Sequence, residues 1–176
     1  MKSTLSTALL LLAEANPTAD VLPPMAQPRR YRDLDSMIAD LNPNFDPRKY
    51  WAYGCHCFAL DDRPMSGMGK GKPVDELDAL CKRYKDCQKC ARRRYGEDCV
   101  GETTKYNWER LTSQEQIKCT DKRDSCQRAT CECDRLFALE IERVKDAFNR
   151  DNHIFWSRTG FEPEERCIAQ VQVCCS

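Results

Sequence analysis

Apolar positions recur at helical spacing in three separate stretches of the chain. Leu34, Met37, Ile38 and Leu41 fall on one face of a short helix over 33–41. The Asn42-Pro43 step ends it, because a proline disfavours helical backbone in the residue before it. From Val74 to about Arg94 no Pro or Gly intervenes, and Leu77, Leu80, Cys81 and Tyr84 share a stripe, so a second helix is expected there. A third uninterrupted stretch, 121–149, reads as a long helix. Cys126, Cys131 and Cys133 lie in its first half, and Leu136, Leu139, Ile141, Val144 and Phe148 continue its apolar side. Cys57 to Lys72, with Pro64, Gly67, Gly69 and Gly71, is expected to be loop, and 150–176 a tail held by Cys167, Cys174 and Cys175.

At 176 residues the chain suits one domain with a modest core. Its 28 basic and 28 acidic residues balance, which gives no reason to expect nucleic acid as a partner. The 13 cysteines read as a disulfide framework formed in an oxidising compartment. The N-terminus agrees with that. Lys2 precedes a short apolar run over 5–13, and the small residues Ala13 and Ala15 suit signal-peptidase cleavage, so 1–15 is expected to be a signal peptide. The run is too short to span a membrane, which takes about 20 apolar residues. Residues 16–30, rich in Pro and ending in Arg29-Arg30, are expected to be a propeptide or flexible leader, with the domain over 31–176.

Tyr53-Gly-Cys-His-Cys57 is followed by Gly69-x-Gly71-x-Pro73-x-Asp75, then by Asp78, Cys81 and Cys87 on the helix. Further on come Cys119-x6-Cys126-x4-Cys131-x-Cys133-Asp134-Arg135. With the Met37-Ile38 pair, these ordered motifs resemble the secreted phospholipase A2 family over roughly residues 31–140. The resemblance implies a mainly α, disulfide-rich fold: two long antiparallel helices, a short N-terminal helix, and a small β-hairpin from Tyr106-Asn-Trp108 and Ile117-Lys-Cys119. It implies the bridges Cys57–Cys81, Cys87–Cys133, Cys99–Cys126, Cys119–Cys131 and Cys55–Cys167. It favours disulfides over a zinc site at Cys55-His-Cys57 or Cys87-x-x-Cys90. Three cysteines remain. Cys90 is expected to pair with Cys174, with Cys175 as the alternative, and Cys175 is left as an interchain or capped thiol.

The family hydrolyses phospholipids at the sn-2 ester, using a His base, an Asp that orients it, and a calcium ion held by loop carbonyls and a second Asp. The positions aligned with that chemistry have changed. Tyr84 stands at the base, Lys85 at the calcium-binding Asp, and Phe58 at a loop glycine; Asp134, the orienting residue, is retained. A tyrosine hydroxyl, with an ordinary pKa near ~10, is a poor base at neutral pH. A calcium ion requires oxygen ligands and negative charge, whereas the former calcium loop around His56, Phe58, Gly69 and Gly71 faces a lysine. Both ends of one family bridge are also gone, at Leu80 and Glu140. His56 and His153 lack helical register with Asp134 and read as surface or loop histidines, and Asp61-Asp62 as a solvated acidic turn.

The degenerate site Tyr84, Lys85 and Asp134 therefore points to a secreted, extracellular, non-catalytic homologue without a metal or other cofactor. It is expected to act by binding or assembly, as a toxin subunit, a membrane-active homologue or an extracellular or biomineral matrix protein. The expected partner is a phospholipid membrane surface or a protein, with a disulfide-linked oligomer in view and no nucleic acid. The alternative is an active phospholipase A2 with a remodelled site. Arg92-Arg93-Arg94 reads as a solvated helix end or an anion-binding run, and Trp51, Trp108 and Trp156 as core or as an interfacial surface.

Overall fold

The computed structural model describes residues 29–50, 52–58, 69–111 and 116–168. The signal-peptide region, Trp51, the Asp61-Asp62 turn, and Cys174 and Cys175 lie outside them. The described elements run α1 (Arg29–Leu41), β1 (Ala52–Tyr53), β2 (Cys57–Phe58), α2 (Glu76–Tyr95), β3 (Trp108–Leu111), β4 (Gln116–Cys119), α3 (Cys126–Val144) and the short α4 (Pro163–Arg166). Helices α2 and α3 form the main contact, and α1 packs on α3. The strands pair as two small antiparallel ribbons, β1 with β2 and β3 with β4.

Capping sets the helix limits. Asp75 accepts from the Asp78 backbone N–H at 2.9 Å and starts α2. Gly96, at φ +104°, ends it and donates its N–H to the Arg92 carbonyl at 3.0 Å. Ser125 caps α3 through the Arg128 N–H at 3.2 Å, and Asp124 just before it has φ +57°. The helix therefore starts at Cys126 rather than 121. At its far end the backbone tightens into a 3₁₀ turn over Lys145–Ala147, so Phe148 lies beyond it. Helix α1 begins at Arg29, four residues before the expected Asp33, which places the Arg29-Arg30 pair in its first turn.

The main core collects Met37 and Ile38 from α1, Leu77, Leu80 and Tyr84 from α2, and Phe137, Ala138 and Ile141 from α3. Burying side chains of this size stabilises the fold by about 1.5–3 kcal/mol each. Leu136 does not join them. It is 45 % exposed. A satellite cluster of Cys55, Phe161 and Cys167, flanked by Val74 and Ile154, lies toward the C-terminus. Trp108 is half-buried against the main core, and Trp156 stacks on His153 with ring centroids 4.5 Å apart. Arg92 pairs with Glu97, and Arg94 with Asp124 at 2.8 Å.

Five disulfides fasten this frame: Cys55–Cys167, Cys57–Cys81, Cys87–Cys133, Cys99–Cys126 and Cys119–Cys131. Each stabilises by roughly 2–4 kcal/mol, chiefly by restricting the unfolded chain. Where the family bridge is missing, Arg83 reaches Glu140 at 2.7 Å, an exposed ion pair between the same two helices. Polar contacts close the fold elsewhere. Asp75 also bonds the Tyr53 hydroxyl and accepts from Asn152 Nδ2 at 2.9 Å, while Tyr53 Oη accepts from the Asn149 N–H at 2.9 Å.

Candidate functional site

Tyr84, Lys85 and Gln88 project from α2 into the protein, and Asp134 projects from α3 opposite them. The Tyr84 hydroxyl donates to Asp134 Oδ1 at 2.7 Å. Gln88 Nε2 donates to the same oxygen at 3.3 Å, and the Tyr106 hydroxyl donates to Oδ2 at 2.5 Å. Both oxygens of the Asp134 carboxylate, itself 0 % exposed, are thus engaged by side chains. Burial and the Asp134 charge push the Tyr106 hydroxyl far above the ordinary tyrosine range, so it stays a donor. The Tyr84 ring packs on Phe137 with centroids 4.8 Å apart. Tyr106 sits in loop just before β3, where the resemblance implied strand. Its Asp134 partner is 28 residues away, and no local pattern signals that contact.

A second buried carboxylate lies toward the N-terminal end of α2. Asp78 Oδ2 accepts backbone N–H groups from Cys55 at 2.9 Å and Val74 at 3.0 Å, and Oδ1 accepts that of His56 at 2.7 Å. Asp78 thereby clamps both ends of the 55–74 segment to the helix. Burial pushes its carboxyl up, and the three hydrogen bonds oppose that shift. His56 is buried, not at the surface. Its Nε2 lies 3.2 Å from the Gly71 carbonyl, which fits an Nε2–H donor, and burial holds its pKa below the usual value. His153 is buried as well. Its Nδ1 accepts from the Phe155 and Trp156 N–H groups, and its Nε2 faces the Arg48 carbonyl at 3.1 Å, remote from Asp134's partners.

Gly69 and Gly71 carry the loop past these groups. A Cβ on Gly69, at φ +117°, would stand 2.4 Å from His56 Nδ1. One on Gly71, at φ +75°, would stand 2.4 Å from the Ile168 carbonyl oxygen. Both conditions exclude side chains. Phe58 belongs to β2, paired opposite Ala52.

Lys85 is 1 % exposed. Burial pulls its amine down to about 7, opposed by the Asp78 charge and reinforced by Lys89. The lysine charge acts in turn on His56, so His56, Asp78 and Lys85 form one electrostatic cluster under the loop. This donor set does not fit a calcium ion. An amine stands where a carboxylate is needed, and the nearby carboxylate already serves three backbone donors. Among the described residues, no three His, Cys, Asp or Glu side chains are grouped to hold a metal. Cys90 is exposed on α2 and has no disulfide partner among the described residues.

The family model described as Phospholipase A2 matches residues 31–153. Group IID secretory phospholipase A2 of Mus musculus is 29 % identical over 143 residues, covering 81 % of this chain and 85 % of the relative. The Homo sapiens protein of the same name is 28 % identical over 125 residues, covering 70 % and 77 %. Acidic phospholipase A2 6 of Naja sagittifera is 30 % identical over 115 residues, covering 64 % and 79 %.

Proposed function

The chain belongs to the phospholipase A2 family, and we propose that it is a secreted, non-catalytic member that acts by binding or assembly. The observation that carries this reading is the hydrogen bond from Tyr84 to Asp134. Where a base would be oriented by that carboxylate, a phenol donates to it instead. A tyrosine would need its pKa lowered by about 3 units to serve near neutrality. Lys85 supports the same reading, since its amine opposes a dication at the position of the former metal ligand.

Secretion is supported by the five disulfides, the N-terminal apolar run and the secretory relatives. A phospholipid surface is the partner that the described surface favours. Phe155 and Ile168 are 70 % and 72 % exposed, and Lys70 and Lys72 beside Gly71 are exposed cations. No helix among the described residues is long and apolar enough to cross a membrane. The protein then binds lipid without cleaving it.

The test is release of fatty acid from phospholipid vesicles by the mature protein across a calcium titration, with co-sedimentation on the same vesicles. Binding without release above the uncatalysed rate is expected. Tyr84→His alone is expected to restore nothing, because Lys85 remains. Turnover that Tyr84→Phe abolishes would instead establish a remodelled active enzyme.

A further inference from the structure

His153 is 2 % exposed, and both of its ring nitrogens end on backbone groups. Nε2 faces the Arg48 carbonyl at 3.1 Å, so it carries the proton. Nδ1 is then bare, and it accepts the Phe155 N–H at 3.1 Å and the Trp156 N–H at 3.2 Å. The His153 carbonyl accepts the next donor, the Ser157 N–H, at 3.0 Å. Three consecutive backbone donors thus return to one residue. The chain just before this turn is held without the imidazole. The Gly54 N–H donates to the Asn152 carbonyl at 2.8 Å, and the Ile154 N–H to the Ala52 carbonyl at 2.9 Å.

The turn carries two aromatic side chains in opposite situations. Trp156 stacks on the imidazole, whereas Phe155 is 70 % exposed. The charged groups around the ring are mostly cations. Lys49 Nζ stands 5.5 Å from the centroid of the Phe148 ring, which meets His153 edge-on, and Arg150 Nε donates to the Trp156 carbonyl at 2.6 Å. The Arg48 guanidinium is paired with Asp46. On the β1 side, Tyr53 is engaged with Asp75, which also holds Asn152. Asp151, two residues before His153, is exposed. Among the described residues no carboxylate bonds the ring, so an imidazolium at 153 gains no hydrogen-bonded counter-ion in exchange for the acceptor it loses.

We propose that His153 is a proton-operated latch on the 155–157 turn: its bare Nδ1 holds Phe155 in the exposed position, and a proton on Nδ1 releases the turn. Protonation takes one proton from solvent and makes both ring nitrogens donors. The Phe155 and Trp156 N–H groups then lose their acceptor and face a third N–H. The backbone bonds of Asn152 and Ile154 do not involve the imidazole, so the change is confined to the turn. Histidine is the side chain whose charge changes between about pH 5 and 8, so the latch operates within the range that separates neutral fluid from acidic compartments. The lipid contact read from Phe155 is then made at neutral pH and weakened in acid; the latch itself does not rest on that contact.

The test is amide exchange of the full chain, read residue by residue and corrected for intrinsic rates, at about pH 7.5 and about pH 5. It compares the natural protein with His153→Asn, whose side-chain oxygen can accept the same N–H groups without titrating. In the natural protein, protection of Phe155 and Trp156 is expected to fall at least tenfold in acid while Ile154 keeps its protection. In His153→Asn it is expected to be the same at both pH values. His56, the other histidine, is present in both proteins and cannot produce the difference. Unchanged protection in the natural protein overturns the proposal, and so does an equal fall in His153→Asn. If that variant does not fold, the ring nitrogen signals of His153 in the natural protein decide. A proton arriving on Nδ1 in step with the loss of protection supports the latch, and a proton arriving without that loss overturns it.

Discussion

Two aspartates are fully buried, Asp78 on α2 and Asp134 on α3, and they are satisfied in opposite ways. Asp134 recruits side chains: two tyrosine hydroxyls and an amide, each able to be exchanged for another donor. Asp78 recruits backbone, and its three N–H partners belong to the segment it holds in place. A site made from side chains can change its chemistry while its carboxylate stays satisfied. A clamp made from backbone tolerates no such exchange, because losing the carboxylate releases the loop. The difference explains how a tyrosine can occupy the position facing Asp134 while the loop on Asp78 keeps its path.

The sharpest way to break this comparison is to remove the clamp. Asp78→Ala leaves three N–H groups, two of them buried, without an acceptor and is expected to destabilise the fold by roughly 3–5 kcal/mol. Chemical denaturation would measure it, and amide exchange should rise first at Cys55, His56 and Val74. The side-chain site should yield less per change. Tyr106→Phe and Tyr84→Phe each delete one hydrogen bond to a carboxylate, worth roughly 1.5–3 kcal/mol. The double variant is expected to lose more than the two singles together, since each hydroxyl compensates for the other's absence. Additive losses would mean that Asp134 draws on further partners.

Lys85 tests the cluster between the two sites. The unfolded chain holds its amine proton up to about pH 10, while the folded chain releases it near 7. Folding stability should therefore rise with pH between those values. Lys85→Met is expected to flatten that rise and to stabilise the fold by about 1 kcal/mol or more at pH 7. Melting curves of both proteins from pH 6.5 to 9.5 would measure the slope. The smallest effect belongs to the exposed ion pair between α2 and α3. Glu140→Ala breaks the ion pair with Arg83 and is expected to shift stability by less than about 1 kcal/mol, with the difference vanishing in high salt.

The fold was legible where information is local. Helical periodicity marked α1, α2 and α3, and ordered cysteine motifs carried the resemblance that a family match over 31–153 supports. Element ends moved where a cap outweighed the apolar pattern, as Ser125 does at α3. The site was legible only in part. Tyr84 meets Asp134 at 2.7 Å, whereas Lys85 interacts electrostatically with Asp78, and Tyr106 and Gln88 escaped notice because a polar residue facing a distant carboxylate leaves no periodic trace. His56 and His153 escaped differently. Both sit in loop sequence, and only tertiary packing buries them.

Asp75 has a consequence for how the molecule opens. One of its oxygens holds the first turn of α2, and the other holds Tyr53 and Asn152. A helix end normally frays alone, at little free-energy expense. Here fraying would release the 52–53 strand and the turn at 149–152 in the same event. The start of α2 and the chain beyond α3 should therefore exchange their amide protons at one common rate, as a single unit of unfolding rather than as two loose ends.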